Sequence, residues 1–323
     1  MRKVLIIGKL PPPVGGVTVH VKRLIARLWT KRIPFTFCNL QNDAISTIVW
    51  KVFTHDLIHI HFSRPVLQLA FALFCRVTFK KVIITYHGHW GRYNWLGNFA
   101  VKLSARLASA PVVQDEASFR GAVLCNRRAR LVSTFISSAD IEPLPPRLFR
   151  EIINRKAQHG NTFCTSAWNI TFDKHGKETY GISDLVTLFK KHPQYLLLIS
   201  DPSRNYRRYL MKNHAQLPEN IMFISVDHDF RSILKLSDAF IRNTTTDGVS
   251  LSIHEARELR VPVLASNAVD RPAFCSLFAN ISDVDLQAGL AEGRTLLSAH
   301  AAYQPVTCVV DQIIGIYKNF QLG

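Results

Sequence analysis

The sequence predicts an α/β chain built from two halves, each a parallel sheet with helices on both faces, meeting across a cleft. Three observations predict it. Short β-branched runs alternate with helical stretches along the whole chain. A proline cluster, Pro143-Leu144-Pro145-Pro146, interrupts that alternation near the middle. With 323 residues, 47% of them apolar, the chain is too long for one ordinary core and apolar enough for two.

The elements follow in order. Val4–Ile7 reads as a strand closed by Gly8, and Val17–Lys31 carries a helical stripe of Val17, Val21, Leu24, Ile25 and Leu28. Strand-like runs follow at Pro34–Leu40, Leu57–His61 and Val82–Tyr86. Gly97–Ser109 is helical, Pro111–Val113 is a short strand and Leu131–Val132 a weaker one. Beyond the prolines, strands are expected at Phe163–Ser166, Tyr195–Ser200, Ile221–Ser225, Asp238–Arg242 and Val261–Ala265, with helices at Gly181–Lys191 and Ser250–Arg260. This assigns 1–145 to a first domain and 146–305 to a second, with 306–323 a terminal helix packing back on the first.

Charge divides the halves. Residues 1–150 hold 22 Lys and Arg against 6 Asp and Glu, a balance of +16; residues 151–323 hold 18 against 17, or +1. A basic half attracts a polyanion: nucleic acid, an anionic membrane or a phosphorylated ligand. The six cysteines are scattered without a Cys-x-x-Cys pair, which argues against a zinc site or a disulfide framework and fits a reducing cytosol. The apolar run from Pro65 to Phe79 is too short to span a bilayer and reads as a buried helix, and no secretory leader is expected at the start.

In open α/β sheets ligands bind beyond the carboxyl ends of the strands. After the first strand, Gly15-Gly16 opens a helix, where bare backbone and free N–H groups suit a phosphate or a sugar. The prolines before it exclude the dinucleotide fingerprint. Thr85-Tyr86-His87-Gly88-His89-Trp90 ends another strand and aims His87 at the ligand side, and His59 and His61 share one face of theirs. The fullest constellation runs from Asp238 to Arg257. There Arg242 ends a strand, Asp247-Gly248-Val249-Ser250-Leu251 leads into a helix, and Glu255 lies eight residues after Asp247. The N-terminal N–H groups of that helix suit a diphosphate, and a carboxylate further along suits a ribose diol.

This constellation resembles the signature of retaining glycosyltransferases of the GT-B fold, the large Glu-x7-Glu family (glycosyltransferase family 4-like). The chain keeps Gly248, Leu251, Glu255, Ala256, Pro262, Val263, Ala265 and Ser266, with Asp247 in place of the first Glu and Arg260 in place of a Gly. The string from Arg242 through Thr246-Asp247-Gly248 to Glu255 is similar to a bacterial capsule, O-antigen, lipopolysaccharide and exopolysaccharide subgroup. The resemblance implies two Rossmann-like domains facing across an interdomain cleft. It implies a metal-independent hexosyltransferase with no cofactor, whose donor is a UDP- or GDP-sugar and whose acceptor is a polyprenyl-diphosphate-linked glycan.

By the same resemblance, His87, Asp247 and Glu255 serve catalysis, His87 beside the reacting carbon and Glu255 on the donor ribose. Gly15, Gly16, Gly248, Val249, Ser250 and Leu251 hold the donor. A family Arg and Lys normally neutralise the leaving diphosphate. Asn169 stands where the Arg belongs, which leaves Lys174 or Lys177 for one charge and Arg242 for the other. Asp227-His228-Asp229 has metal-ligand spacing, but it follows a strand and reads as a cap for the next helix, with no metal expected. Trp90 to Lys102 mixes aromatics with cations as a membrane interface does, so a cytoplasmic protein peripheral on an anionic inner membrane is expected, without nucleic acid as a partner. The alternatives are a nucleotide-sugar 2-epimerase of the same shape, a catalytically silent subunit, and a basic nucleic-acid-binding protein.

Overall fold

The structure, a computed structural model, describes residues 4–12, 14–138, 140–173, 175–213, 217–300 and 308–321. The chain divides into two compact units: Met1–Ser137 with Pro305–Gly323, and Ser138–Gln304.

The first unit runs β1 (Val4–Gly8), α1 (Gly16–Thr30), β2 (Phe35–Asn39), α2 (Ile45–Thr54), β3 (Leu57–Ile60), α3 (Pro65–Val77), β4 (Lys81–Thr85), α4 (Trp95–Leu107), β5 (Ala110–Val113), α5 (Glu116–Cys125) and β6 (Arg130–Leu131). All pairings are parallel, in the order β2-β1-β3-β4-β5-β6. Both faces of such a sheet are covered, so its strands are apolar throughout rather than alternating. Val4, Leu5, Ile6 and Ile7 accordingly show no exposed surface. The helices start on local chemistry: Pro65 at the first position of α3, Asn94 accepting from Gly97 N at 2.9 Å for α4, Asp115 accepting from Ser118 N at 2.8 Å for α5.

The second unit runs α6 (Pro146–Lys156), β7 (Thr162–Ser166), α7 (Ile182–Lys190), β8 (Leu196–Ser200), α8 (Asn205–Asn213), β9 (Ile221–Ile224), α9 (Phe230–Leu234), β10 (Ala239–Arg242), α10 (Leu251–Glu258), β11 (Val263–Ser266), β12 (Cys275–Phe278) and α11 (Leu286–Ala299). Its parallel sheet has the order β12-β11-β10-β7-β8-β9, with an apolar cluster on each face. Asp229 caps α9, accepting from Arg231 N at 3.0 Å, the capping alternative for the Asp-His-Asp segment.

The last helix, α12 (Val309–Gln321), belongs to the first unit. Its stripe of Val310, Ile313, Ile314 and Tyr317 packs with Val4, Ile6, Leu24 and Leu28 beneath the sheet. The division between units falls at Ser138, earlier than the prolines suggest. Arg231 holds Ser138 and Asp140 to the second unit by donating to Ser138 O at 2.6 Å and to Asp140 O, and Ser232 Oγ donates to Glu142 O.

Candidate functional site

The fully buried strand β10 delivers Arg242 to the carboxyl edge of the second sheet. There its guanidinium grips Asp247 with two parallel bonds, Nε to Oδ2 at 2.9 Å and Nη2 to Oδ1 at 3.1 Å. A second guanidinium, from Arg271 in the loop after β11, reaches the same carboxylate with Nη1 to Oδ2 at 3.0 Å. Gly248 N donates to Oδ1 at 3.1 Å. Two carboxylate oxygens offer about four lone-pair sites, and these four donors take them. Burial by itself would raise the Asp247 pKa; the two arginines outweigh it and hold the carboxyl below its ordinary value.

The clamp locks the loop. Arg271 Nη2 donates to Thr244 Oγ1 at 2.7 Å and its Nε to Ser266 O at 3.0 Å, while Ser266 Oγ donates to Thr244 O at 2.7 Å. Arg242 lies 5.1 Å from the Tyr180 ring centroid and donates to Ser166 O at the end of β7. Two guanidiniums against one carboxylate leave a net positive centre at the carboxyl ends of β7, β10 and β11.

The loop then turns into α10. Ser250 caps it in an extended conformation without a side-chain bond to the first-turn N–H groups, so the turn beginning at Leu251 presents backbone donors next to that positive centre. Glu255 is on the buried face of α10, 6% exposed, within the field of Arg231. A site of this kind can hold an anion between guanidiniums and helix N–H groups, with a carboxylate close by to accept from hydroxyls.

Other expected residues take different places. Asn169 accepts from Asn205 Nδ2 at 2.7 Å and from Ile170 N, so it is tied into the loops after β7 and β8. Lys177 is exposed in a turn closed by Asp173, and Lys174 lies outside the described residues. Arg242 serves Asp247 rather than standing alone for a diphosphate. The same geometry gives Asp247 a different first partner from the sugar expected of it: its carboxylate is spent on two arginines. Arg271 went unread in the sequence, although the rule that singled out strand ends applies to the loop after β11 as well.

In the first unit, Gly15 and Gly16 open α1, and a Cβ at either would meet nothing within 4 Å. His87 follows β4 and sits among other imidazoles. His61 Nδ1 is 3.1 Å from His87 Nε2, and His59 is paired with Thr85 Oγ1 at 2.8 Å and Tyr317 Oη at 2.6 Å. Burial pushes the His61 and His87 pKa values well below 6.5, with neighbouring imidazoles adding to the effect, so both rings are neutral at pH 7. His89 instead pairs with Asp115 at 3.1 Å.

The model of the family described as Glycosyl transferases group 1 matches residues 167–273, the stretch that contains Arg242, Asp247, Glu255 and Arg271. The match lies within the second unit. No curated protein matches the chain. Among solved structures, HepE from Anabaena, crystallised with UDP and glucose, aligns at 13% identity over 99% of this chain and 100% of its own, with a TM-score of 0.71. Sucrose-phosphate synthase from Thermosynechococcus elongatus aligns at 15% identity over 100% of both chains, TM-score 0.69. WaaG, a glycosyltransferase involved in lipopolysaccharide biosynthesis, aligns at 11% identity over 97% of this chain and 99% of its own, TM-score 0.66. At such identities the likeness is one of fold, and the fold is GT-B: two parallel six-stranded sheets, each flanked by helices. The group 1 match and the arginine-clamped loop coincide.

Proposed function

We propose that the chain is a retaining, metal-independent glycosyltransferase that moves a hexose from a UDP- or GDP-sugar to a polyprenyl-diphosphate-linked glycan in bacterial surface polysaccharide synthesis. The observation that carries this reading is the positive centre of Arg242 and Arg271 beside the uncapped start of α10, inside the stretch matched by the family. Departure of a nucleoside diphosphate concentrates negative charge on the leaving oxygens. Fixed guanidiniums and helix N–H groups beside that charge stabilise it through their field without reorganising. Asp247 acts through the arginines it aligns, and the loop backbone from Gly248 to Leu251 meets the diphosphate and sugar. Glu255 accepts from the ribose diol. Lys177 supplies a further cation when the donor is bound.

Gly15, Gly16 and His87 are assigned to sugar and acceptor recognition. The neutral His87 imidazole offers a hydrogen bond to a sugar hydroxyl without adding charge. The solved structure of HepE with UDP and glucose supports a nucleotide-sugar donor on this fold. For a lipid-linked acceptor the support is α4. Trp95, Leu96 and Phe99 are exposed there at 76%, 55% and 58%, and Lys102 and Arg106 are exposed on the same helix. Apolar side chains flanked by cations suit the headgroup layer of an anionic membrane. Among the described residues no helix is long and apolar enough to cross one.

The test is turnover. The purified chain is incubated with UDP- and GDP-sugars, with and without a polyprenyl-diphosphate-linked glycan fraction. Release of nucleoside diphosphate that depends on the acceptor, with the product anomer matching the donor, is expected. Interconversion of donor sugars without acceptor would replace this reading by a 2-epimerase. No turnover of any donor would contradict both.

A further inference from the structure

The first unit gathers imidazoles at the carboxyl ends of neighbouring parallel strands. His20 lies on α1, His61 directly follows β3, and His87 lies two residues beyond β4. Their ring centroids form a nearly equilateral triangle, with separations of 5.2, 5.1 and 5.3 Å. One ligand-capable nitrogen from each ring falls within 4.8 Å of the other two, and the group consists of imidazoles alone.

The hydrogen bonding points the same way. His20 Nδ1 donates to Thr134 O at 2.7 Å, so the neutral ring keeps its lone pair on Nε2. That atom is buried without a hydrogen-bond partner. A backbone carbonyl behind one nitrogen and a free lone pair on the other is the arrangement that orients metal-binding histidines. His61 Nδ1 and His87 Nε2 stand 3.1 Å apart, and bonds of about 2.0–2.1 Å to a tetrahedral zinc place ligand nitrogens about 3.3 Å apart. Both nitrogens of His59 are engaged by Tyr317 and Thr85, so it forms a wall of the site and is not a ligand. Burial holds His20 neutral, with its pKa lowered to about 4, and neutral imidazole is the ligating form.

We propose that His20, His61 and His87 bind one divalent transition-metal ion of the imidazole-preferring kind, zinc foremost, with a fourth position left for water. An all-nitrogen set favours zinc, cobalt, nickel or copper over magnesium or calcium. The hydrogen shared between His61 and His87 is displaced as the ion enters. The donating ring shifts its proton to its other nitrogen, both lone pairs face the metal, and no net proton leaves the neutral trio. Nε2 of His87 is the atom assigned to the ion, so a metal and a sugar hydroxyl at that atom exclude each other. Metal binding and the sugar contact of His87 are therefore alternatives at one atom, and the binding test needs neither donor nor acceptor.

The untagged full chain, stripped by a chelator, is titrated with Co2+ by visible absorbance and with Zn2+ against a chromophoric chelator. One equivalent should bind, with the intense visible bands of tetrahedral cobalt, and Zn2+ should displace it. His20→Ala and His61→Ala should each weaken binding at least about tenfold, a loss of the size that removing even a supporting residue causes. His175→Ala, at an exposed position in the second unit, should leave it unchanged. Uptake well below one equivalent, or uptake indifferent to His20 and His61, would overturn the proposal. Should either variant fail to fold, 15N spectra of the wild-type imidazoles decide. Zn2+ must shift the ring nitrogens of His20, His61 and His87, and resonances that stay in place overturn the site.

Discussion

Replacing Asp247 by Asn removes the one carboxylate between two buried guanidiniums. The Arg242 side chain is 10% exposed, that of Arg271 2%, and that of Asp247 11%, so water cannot take over the lost charge. Breaking a buried ion pair by removing one partner costs about 3–5 kcal/mol. The second unit spans Ser138–Gln304, and for a domain of that size each kcal/mol lowers Tm by about 2–4 °C. The expected fall is therefore roughly 6–20 °C at pH 7, read by differential scanning calorimetry. The same substitution releases the two guanidiniums that Asp247 aligns, so free UDP or GDP should bind severalfold more weakly than to wild type. A Tm shift under about 2 °C would refute the clamp. Nucleotide affinity equal to wild type in a folded variant would refute the assignment of Asp247 to aligning the arginines. Linkage gives a check without mutation. The Asp247 contribution is present above the ordinary carboxylate pKa of about 3.9 and is lost as pH falls through its depressed folded value.

Three further outcomes are expected. His20 and His59 have folded pKa values of about 4 and about 3, lowered chiefly by burial, against about 6.5 unfolded. Their stabilisation is complete above pH 6.5 and falls as pH drops towards the folded values, by about 1.4 kcal/mol each between pH 7.5 and 5.5; urea melts that coincide at the two pH values would contradict the burial of these rings. Gly181 has φ of +49°, and a Cβ there would lie 2.2 Å from Asn243 Nδ2, so Gly181→Ala should cost about 1–3 kcal/mol by thermal denaturation, and a neutral result would show the turn to be relaxed differently. On the membrane side, the chain should sediment with anionic vesicles at low salt and be released as salt rises, and the double substitution Trp95→Ala with Phe99→Ala should weaken binding severalfold; sedimentation indifferent to lipid charge would remove the membrane role of α4.

The strands were largely legible because parallel strands buried on both faces must be apolar throughout. Val4–Ile7 and Val82–Thr85 can be read directly as such runs. The helix α11 was not legible, because Gly289 and Gly293 look like breakers. They lie where the helix meets β11, and a Cβ on Gly289 would come within 2.7 Å of Leu264 Cδ2. The strand β12 escaped for want of length and alternation: Cys275-Ser276-Leu277-Phe278 mixes its types. At the candidate site, Asp247, Gly248 and Glu255 are close in sequence and carry a motif, whereas Arg271 reaches Asp247 across 24 residues and belongs to none. His20 lies within the helical stretch Val17–Lys31 and belongs to no motif. Its meeting with Thr134 spans 114 residues, a distance over which periodicity carries no information.

The central claim is that a sugar nucleotide is held where the Asp247 loop enters α10 above Glu255. A thermal-shift panel of UDP-, GDP- and ADP-sugars on the full chain and on Glu255→Ala tests it most directly. Stabilisation of the wild type by one base class, by about 2.7 kcal/mol at a hundredfold excess over Kd, and its disappearance in the variant are predicted. Equal shifts in both proteins, or none with any nucleotide, would contradict it.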